Sequence, residues 1–287
     1  MKLESRRKFL EYSATALATV RSSFGSSLDA IGVQLYTVRK LLGSRPGATL
    51  RALDQIGYAE AEVVWTSMDA IWNDLKKTRL KPISVHLDSA LFSSENTAKL
   101  TAAISHCKEL GFRYVVYPYT APNQRGGLDS FRSLADVLNR AGEACRKVDL
   151  ELCYHNHGFE FQPMGNTTGM ETLLSRTDKA LVGWEMDIFW VSVAGFHPSD
   201  LLKQYAGRVP LMHLKNKAEG IPVRYDESLP PSAFREVGDG VLRIPIILRD
   251  GEAAGVQHFF VEQDETPGDP IDSLRRSYRY LRDLKRS

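Results

Sequence analysis

The sequence predicts a single-domain α/β protein, a closed (β/α)8 TIM barrel, and three observations carry that prediction. Short β-branched or aromatic runs recur eight times from Ile31 onward. Longer stretches with amphipathic helical spacing separate them, the mark of βαβ units around a parallel sheet. No Gly-rich phosphate turn follows the first run. Gln34-Leu35-Tyr36-Thr37 stands where an open doubly wound sheet normally shows G-x-G-x-x-G, and there is no P-loop.

The expected strands are Ile31–Val38, Ala61–Trp65, Ile83–Leu87, Tyr114–Tyr117, Glu151–His155, Val182–Asp187, Val209–Leu214 and Phe259–Glu262. Several are almost continuously apolar, as strands covered on both faces require. Between them, Leu50, Leu53 and Ile56, then Ile71 and Leu75, then Leu100, Ile104, Cys107 and Leu110 repeat at helical spacing. Leu134, Val137, Leu138, Ala141 and Cys145 follow the same rule. Gly57 and Gly111 stand just past helix ends, where a left-handed cap is wanted. Pro198-Ser199-Asp200 marks a helix start after strand six, and Ser273–Lys285 reads as the closing helix.

With 287 residues, 43% hydrophobic and 25% charged, the chain has the composition of an ordinary globular protein. Barrels of this kind use about 250 residues as one unit, so residues 29–287 are expected to form one domain. Cys107, Cys145 and Cys153 are odd in number and lack C-x-x-C spacing, which argues for buried free thiols. The net charge of +2 is concentrated at the N-terminus. Beyond residue 21 the chain holds 32 Lys+Arg against 33 Asp+Glu, which leaves no footprint for nucleic acid.

Residues 1–28 differ in kind. Ser5-Arg6-Arg7-Lys8-Phe9-Leu10 resembles the twin-arginine export consensus, and the stretch from Tyr12 to Val20 that follows is weakly apolar. It is too short to cross a membrane, which takes about 20 apolar residues. A removable signal and connector is expected, with the twin-arginine export machinery as partner, a periplasmic or exported location and no integral membrane span. If the segment is not a signal, the location is cytoplasmic. That route moves proteins already folded, which suits an enzyme that takes up a metal before export.

In a β/α barrel the active site lies at the C-terminal strand ends. Strand three ends His86-Leu87-Asp88, and strand five runs Tyr154-His155-Asn156-His157-Gly158-Phe159-Glu160. Strands six, seven and eight end Glu185-Met186-Asp187, Met212-His213-Leu214-Lys215 and Val261-Glu262-Gln263-Asp264. Any one of these has a plain structural explanation, as a bonded histidine or a helix cap. Barrel closure, however, gathers strands five to eight around one mouth. Carboxylates and imidazoles concentrated there repel one another or lose hydration unless a cation compensates. A mixed Glu/Asp/His set suits one divalent metal. Mn2+ is favoured over Mg2+, Co2+ or Zn2+ by mostly oxygen ligands with one nitrogen.

These phrases also carry a resemblance. IGVQLYTVR at strand one, YHNHGFEF after strand five, WEMDIFW at strand six, GRVPLMHLKN at strand seven and HFFVEQD at strand eight look like the sugar phosphate isomerase/epimerase group of the xylose-isomerase-like barrels. That group includes D-tagatose 3-epimerase, inosose dehydratase and endonuclease IV. The resemblance covers nearly the whole chain after the signal. It implies a metal held by Glu, Asp, His and Glu from strands five to eight, and Asp187, His213 and Glu262 match three of these. The epimerases carry the strand-five Glu where this chain has Tyr154 or His155. Glu160 is taken as the fourth ligand, with His155 and His157 as substitutes. At the place of a substrate-binding His, three residues after the strand-six Asp, stands Trp190.

The function implied is a metal-dependent isomerase or epimerase, moving a proton through an enediolate on a keto-sugar or related polyol. Glu160, Glu262 and His157 are the candidates for acid and base, and Lys215 for a donor to the developing oxyanion. Tyr36, Trp65 and Trp190 are expected to wall the substrate, and His86 and His155 to bind it. The alternative is a lyase that eliminates from the same intermediate, as in inosose dehydration or 3-keto-glycoside cleavage. A DNA-directed nuclease is disfavoured by charge, and a non-catalytic sugar-binding barrel is the remaining class. A small carbohydrate is the expected partner, and relatives admit a homo-oligomer. The loop Lys217–Pro231 has no assigned place.

Overall fold

A computed structural model describes residues 30–286, so the proposed export signal lies outside the described residues. Eight parallel strands close into a barrel. They are β1 (Ile31–Gln34), β2 (Glu60–Val64), β3 (Lys81–His86), β4 (Tyr114–Tyr117), β5 (Glu151–His155), β6 (Val182–Asp187), β7 (Leu211–Leu214) and β8 (His258–Val261). Sequential strands are neighbours, and β8 returns to β1 through Ile31↔Phe259 and Gly32↔Phe260. Each expected strand is present, with β1, β2, β3 and β8 ending short of the expected residue at the end nearest the site. β1 stops at Gln34 because its side chain accepts the N–H of Tyr36 at 3.0 Å and turns Leu35–Val38 into a 3-10 helix. β2 stops at Val64, and Trp65 opens the following helix.

The outer layer consists of α1 (Pro46–Ile56), α2 (Trp65–Leu75), α3 (Thr97–Glu109), α4 (Leu128–Arg146), α5 (Gly169–Arg176), α6 (Pro198–Gln204), α7 (Ile244–Ala254) and α8 (Pro270–Arg286). Their apolar stripes pack on the outward faces of the strands. Leu50, Leu53, Ile104, Cys107, Leu138 and Cys145 are all essentially inaccessible. A fully buried side chain of the Leu class contributes about 1.5–3 kcal/mol. The helix ends follow the glycine signals. Gly57 closes α1 at φ 117°, and a Cβ there would also collide with the Tyr278 hydroxyl of α8. All three cysteines are free and buried.

Inside the barrel, alternation sorts the residues by face. Tyr114, Val116, Cys153, Leu211 and Phe260 form an apolar plug. Gly32 leaves room for Phe260, whose ring a Cβ would strike. Above the plug, the inward positions become polar and carry the site.

The loop after β7 is ordered around a two-residue pairing, Asn216–Lys217 against Phe234–Arg235. Phe189, Trp190, Val193, Ala233 and Phe234 form a small apolar cluster there, with Leu229 packed against it. Among the described residues, no helix is long and apolar enough to cross a membrane.

Candidate functional site

At the C-terminal ends of β5 to β8, His155, Asp187, His213 and Glu262 bring donor atoms within 4.8 Å of one another, and all four residues are buried. Register places them: His155 pairs with Glu185, and Asp187 pairs with His213. His155 Nε2 lies 3.5 Å from Asp187 Oδ2, and His213 Nδ1 lies 2.8 Å from Glu262 Oε2. None of these four atoms makes an aligned hydrogen bond among the described residues, although the Lys215 ammonium lies 2.7 and 2.6 Å from the two carboxylate oxygens. Four converging on one point fit a cation.

The opposite ring nitrogens of both histidines are held. His155 Nδ1 is 3.1 Å from the carbonyl oxygen of Pro118, and His213 Nε2 is 2.5 Å from Glu62 Oε2. Such partners fix ring orientation and leave the other nitrogen free to coordinate. Glu62 is itself fixed from the neighbouring strands. It accepts from Gln34 Nε2 at 2.7 Å and from Ser84 Oγ at 2.5 Å, its register neighbours on β1 and β3. His86 completes this shell, 2.7 Å from Glu185 and 3.1 Å from Glu62. Burial alone depresses the His86 pKa, but the two carboxylates outweigh it and lift it to about 9.

Glu62, His86, Glu185 and His213 form a second group with metal-like spacing. There, however, Glu62 and His213, and His86 and Glu185, already bond each other. The quartet, whose four atoms make no aligned hydrogen bond among the described residues, is therefore the better fit for an ion, and the second group is its support.

Lys215 is fully buried beside the quartet. Its ammonium lies 2.7 Å from Asp187 Oδ2 and 2.6 Å from Glu262 Oε2, and makes its aligned hydrogen bonds to Asp264 at 3.0 and 3.1 Å. Burial opposes ionisation of Asp187 and Glu262, yet Lys215 and the histidines hold both carboxyls well below their ordinary range. Asp264, raised by burial and relieved in part by Lys215, reaches about 6.

A cavity of about 640 Å3 opens above the quartet, and its wall includes His86, His155, His157, Glu262, Trp190 and Tyr36. His157 faces it as neutral imidazole, because burial and then the neighbouring His155 and Lys215 disfavour its charge. His157 Nδ1 and Trp190 Nε1 are buried without a hydrogen-bond partner among the described residues.

The structure places four of the expected site residues differently from the sequence reading. Glu160 is not in the quartet and does not line the cavity. Its oxygens accept from the Tyr154 hydroxyl at 2.8 Å and the His157 N–H at 2.9 Å, and burial pushes its pKa up to about 8. His155, expected to bind substrate and offered as a substitute ligand, both lines the cavity and brings Nε2 to the quartet. Trp65 turns away at the start of α2, where its ring meets His106 edge-on at 6.3 Å, and Val64 and Thr66 line the cavity in its place. Lys215 is sealed behind Asp187 and Glu262 and does not reach the cavity wall. Sequence reading passed over Glu62 and gave Glu185 no role. The signal for Glu62 was Glu60-Ala61-Glu62, acids at alternate positions in a strand whose two faces are covered.

Residues 50–284 match the family model of the xylose isomerase-like TIM barrel. An inosose dehydratase from Bacillus anthracis is 26% identical over 166 residues, covering 54% of this chain and 55% of that protein. The chain thus spans about half the length of such curated relatives. A solved sugar phosphate isomerase/epimerase from Parabacteroides distasonis superposes with a TM-score of 0.72 at 22% identity, covering 92% of this chain and 96% of that one. The IOLI protein, solved with a bound zinc atom, gives a TM-score of 0.68 at 15% identity, covering 89% and 99%. With its closed barrel and the extent of the family match, the chain belongs to the xylose isomerase-like TIM barrel family.

Proposed function

We propose that the protein is a divalent-metal-dependent enzyme that moves a proton next to the carbonyl of a keto-sugar or related polyol. The observation that carries this reading is the set of four donors, His155 Nε2, Asp187 Oδ2, His213 Nδ1 and Glu262 Oε2, at the floor of the cavity. Two nitrogens and two oxygens move the preference from the magnesium end of the series toward Zn2+, Co2+ or Mn2+, and the zinc in the IOLI structure is consistent with that shift. Once bound, such an ion polarises a substrate carbonyl and lowers the cost of negative charge on its oxygen.

The chain's own groups supply the proton steps. His157, neutral and facing the cavity, is the candidate base for the carbon-bound proton. His86, protonated between Glu62 and Glu185 and also facing the cavity, is the candidate donor to the developing oxyanion. It takes the role first assigned to Lys215. Environments that push two titratable groups apart in this way mark an acid–base pair. Trp190, Leu229 and Phe234 give the cavity an apolar side.

Return of the proton gives isomerisation or epimerisation, the leading reading. Loss of a group β to the carbonyl gives a lyase instead. That second reading is favoured by Trp190 and by the likeness to inosose dehydratases.

The test is incubation of the metal-loaded protein in D2O with ketoses, inososes and 3-keto-glucosides, followed by NMR. Deuterium should enter beside the carbonyl, and His157→Ala should slow it by roughly 10^2–10^4-fold. Absence of exchange with every class would contradict the proposal.

A further inference from the structure

Carboxylates of Asp88, Glu227, Glu262, Asp264 and Glu265 line the cavity above the quartet. Among the described residues, the cations facing it or standing just behind it are each engaged. Arg39 donates to Glu265 at 2.6 Å and to the carbonyl oxygens of Asp264 and Tyr36 at 2.8 and 3.0 Å. Arg125 makes two bonds to Glu227, at 2.7 and 3.2 Å, and lies 3.5 Å over the Phe159 ring. His86 is held between two carboxylates, and Lys215 is shared among three. The rest of the wall combines the apolar or aromatic Leu87, Pro118, Tyr119, Trp190, Leu229 and Phe234 with the polar Thr66, Ser89, His155 and His157.

From this arrangement we infer that the cavity takes an uncharged polyol or glycoside, a keto-sugar carrying neither phosphate nor carboxylate. The inference rests on the keto-sugar reading above and narrows it. Recognition of a phosphate ordinarily uses an Arg or Lys whose donors are free for it. Here an anion entering the cavity meets carboxylates that already own the nearby cations, and like-charge contact costs several kcal/mol. Sugar hydroxyls, by contrast, donate to those carboxylates while the ring lies against the aromatic wall. One feature pulls the other way. α2 opens beside the cavity without a side-chain cap or an acid in its first turn, an end that favours anions.

The deciding experiment measures binding of D-fructose, D-fructose 6-phosphate and 2-keto-D-gluconate to the full-length, metal-loaded protein. The neutral ketose should bind, and the two anions should bind roughly ten-fold or more weakly. In Glu265→Gln, which removes the charged partner of Arg39, the ratio of phosphorylated to neutral affinity should rise roughly ten-fold. Equal or tighter binding of the phosphate by the native protein would overturn the inference while leaving the keto-sugar reading intact. An unchanged ratio in the variant would count against it as well. Failure of all three to bind, with metal present in stoichiometric amount, would sink the keto-sugar reading and the inference with it.

Discussion

His213 works in two directions at once: Nε2 meets Glu62 at 2.5 Å, and Nδ1 stands among the donors of the quartet. The Glu62 carboxylate thereby sets which nitrogen is available, and Gln34 and Ser84 set Glu62. Burial works against the charge on Glu62, but His86 and His213 hold its carboxyl well below the ordinary range. Removing that charge removes the reason for the His213 orientation. Glu62→Gln should keep the fold and lower metal affinity by roughly 10–100-fold, read by competition with a chelating dye. An affinity equal to that of the native protein would show that Glu62 does not orient the ligand.

The segment after β5 depends on the Glu160 carboxyl, which the sequence suggests as a ligand. Glu160 joins the Tyr154 hydroxyl to the His157 N–H, and so ties the end of β5 to the turn that presents His157 to the cavity. Its folded pKa of about 8, raised by burial, exceeds the unfolded value of about 4.3. Between those two values the folded chain keeps a proton that the unfolded chain has released. Its contribution to stability is therefore complete below the unfolded pKa and falls as pH rises toward the folded one. Denaturant unfolding from pH 5 to pH 8 should show this decline, and Glu160→Gln should flatten it. Equal slopes in the two proteins would contradict the assignment.

The same segment shows why part of the site was legible and part was not. Strand positions follow from runs of apolar residues, and strand ends together with the family resemblance then nominate Asp187, His213 and Glu262. Choosing among Tyr154, His155 and Glu160 needs the parity of β5: Tyr154 faces the helices, while Cys153 and His155 face inward. Glu62 needs still more, because its partners Gln34, Ser84, His86 and His213 lie on three other strands and meet only through register. Trp65 failed for a local reason. The chain turns into α2 one residue earlier than its β-forming side chain suggests.

For the whole molecule, a bound ion and the closed barrel are linked. The four donors come from four different strands, and an unfolded chain cannot present them together. A ligand that binds only the folded state stabilises it by about 2.7 kcal/mol at one hundred times its dissociation constant. For a barrel of this size that corresponds to roughly 5–10 °C in Tm. Chelation should lower the Tm by about that much, and restored metal should recover it. A Tm indifferent to chelator would mean that the quartet holds no ion in solution.

The most direct test of the metal centre is an anomalous difference map from crystals grown with Mn2+ or Zn2+. The account predicts one strong peak within coordination distance of His155 Nε2, Asp187 Oδ2, His213 Nδ1 and Glu262 Oε2. A map with no peak there, or with its peak among Glu62, His86, Glu185 and His213 Nε2, would contradict it.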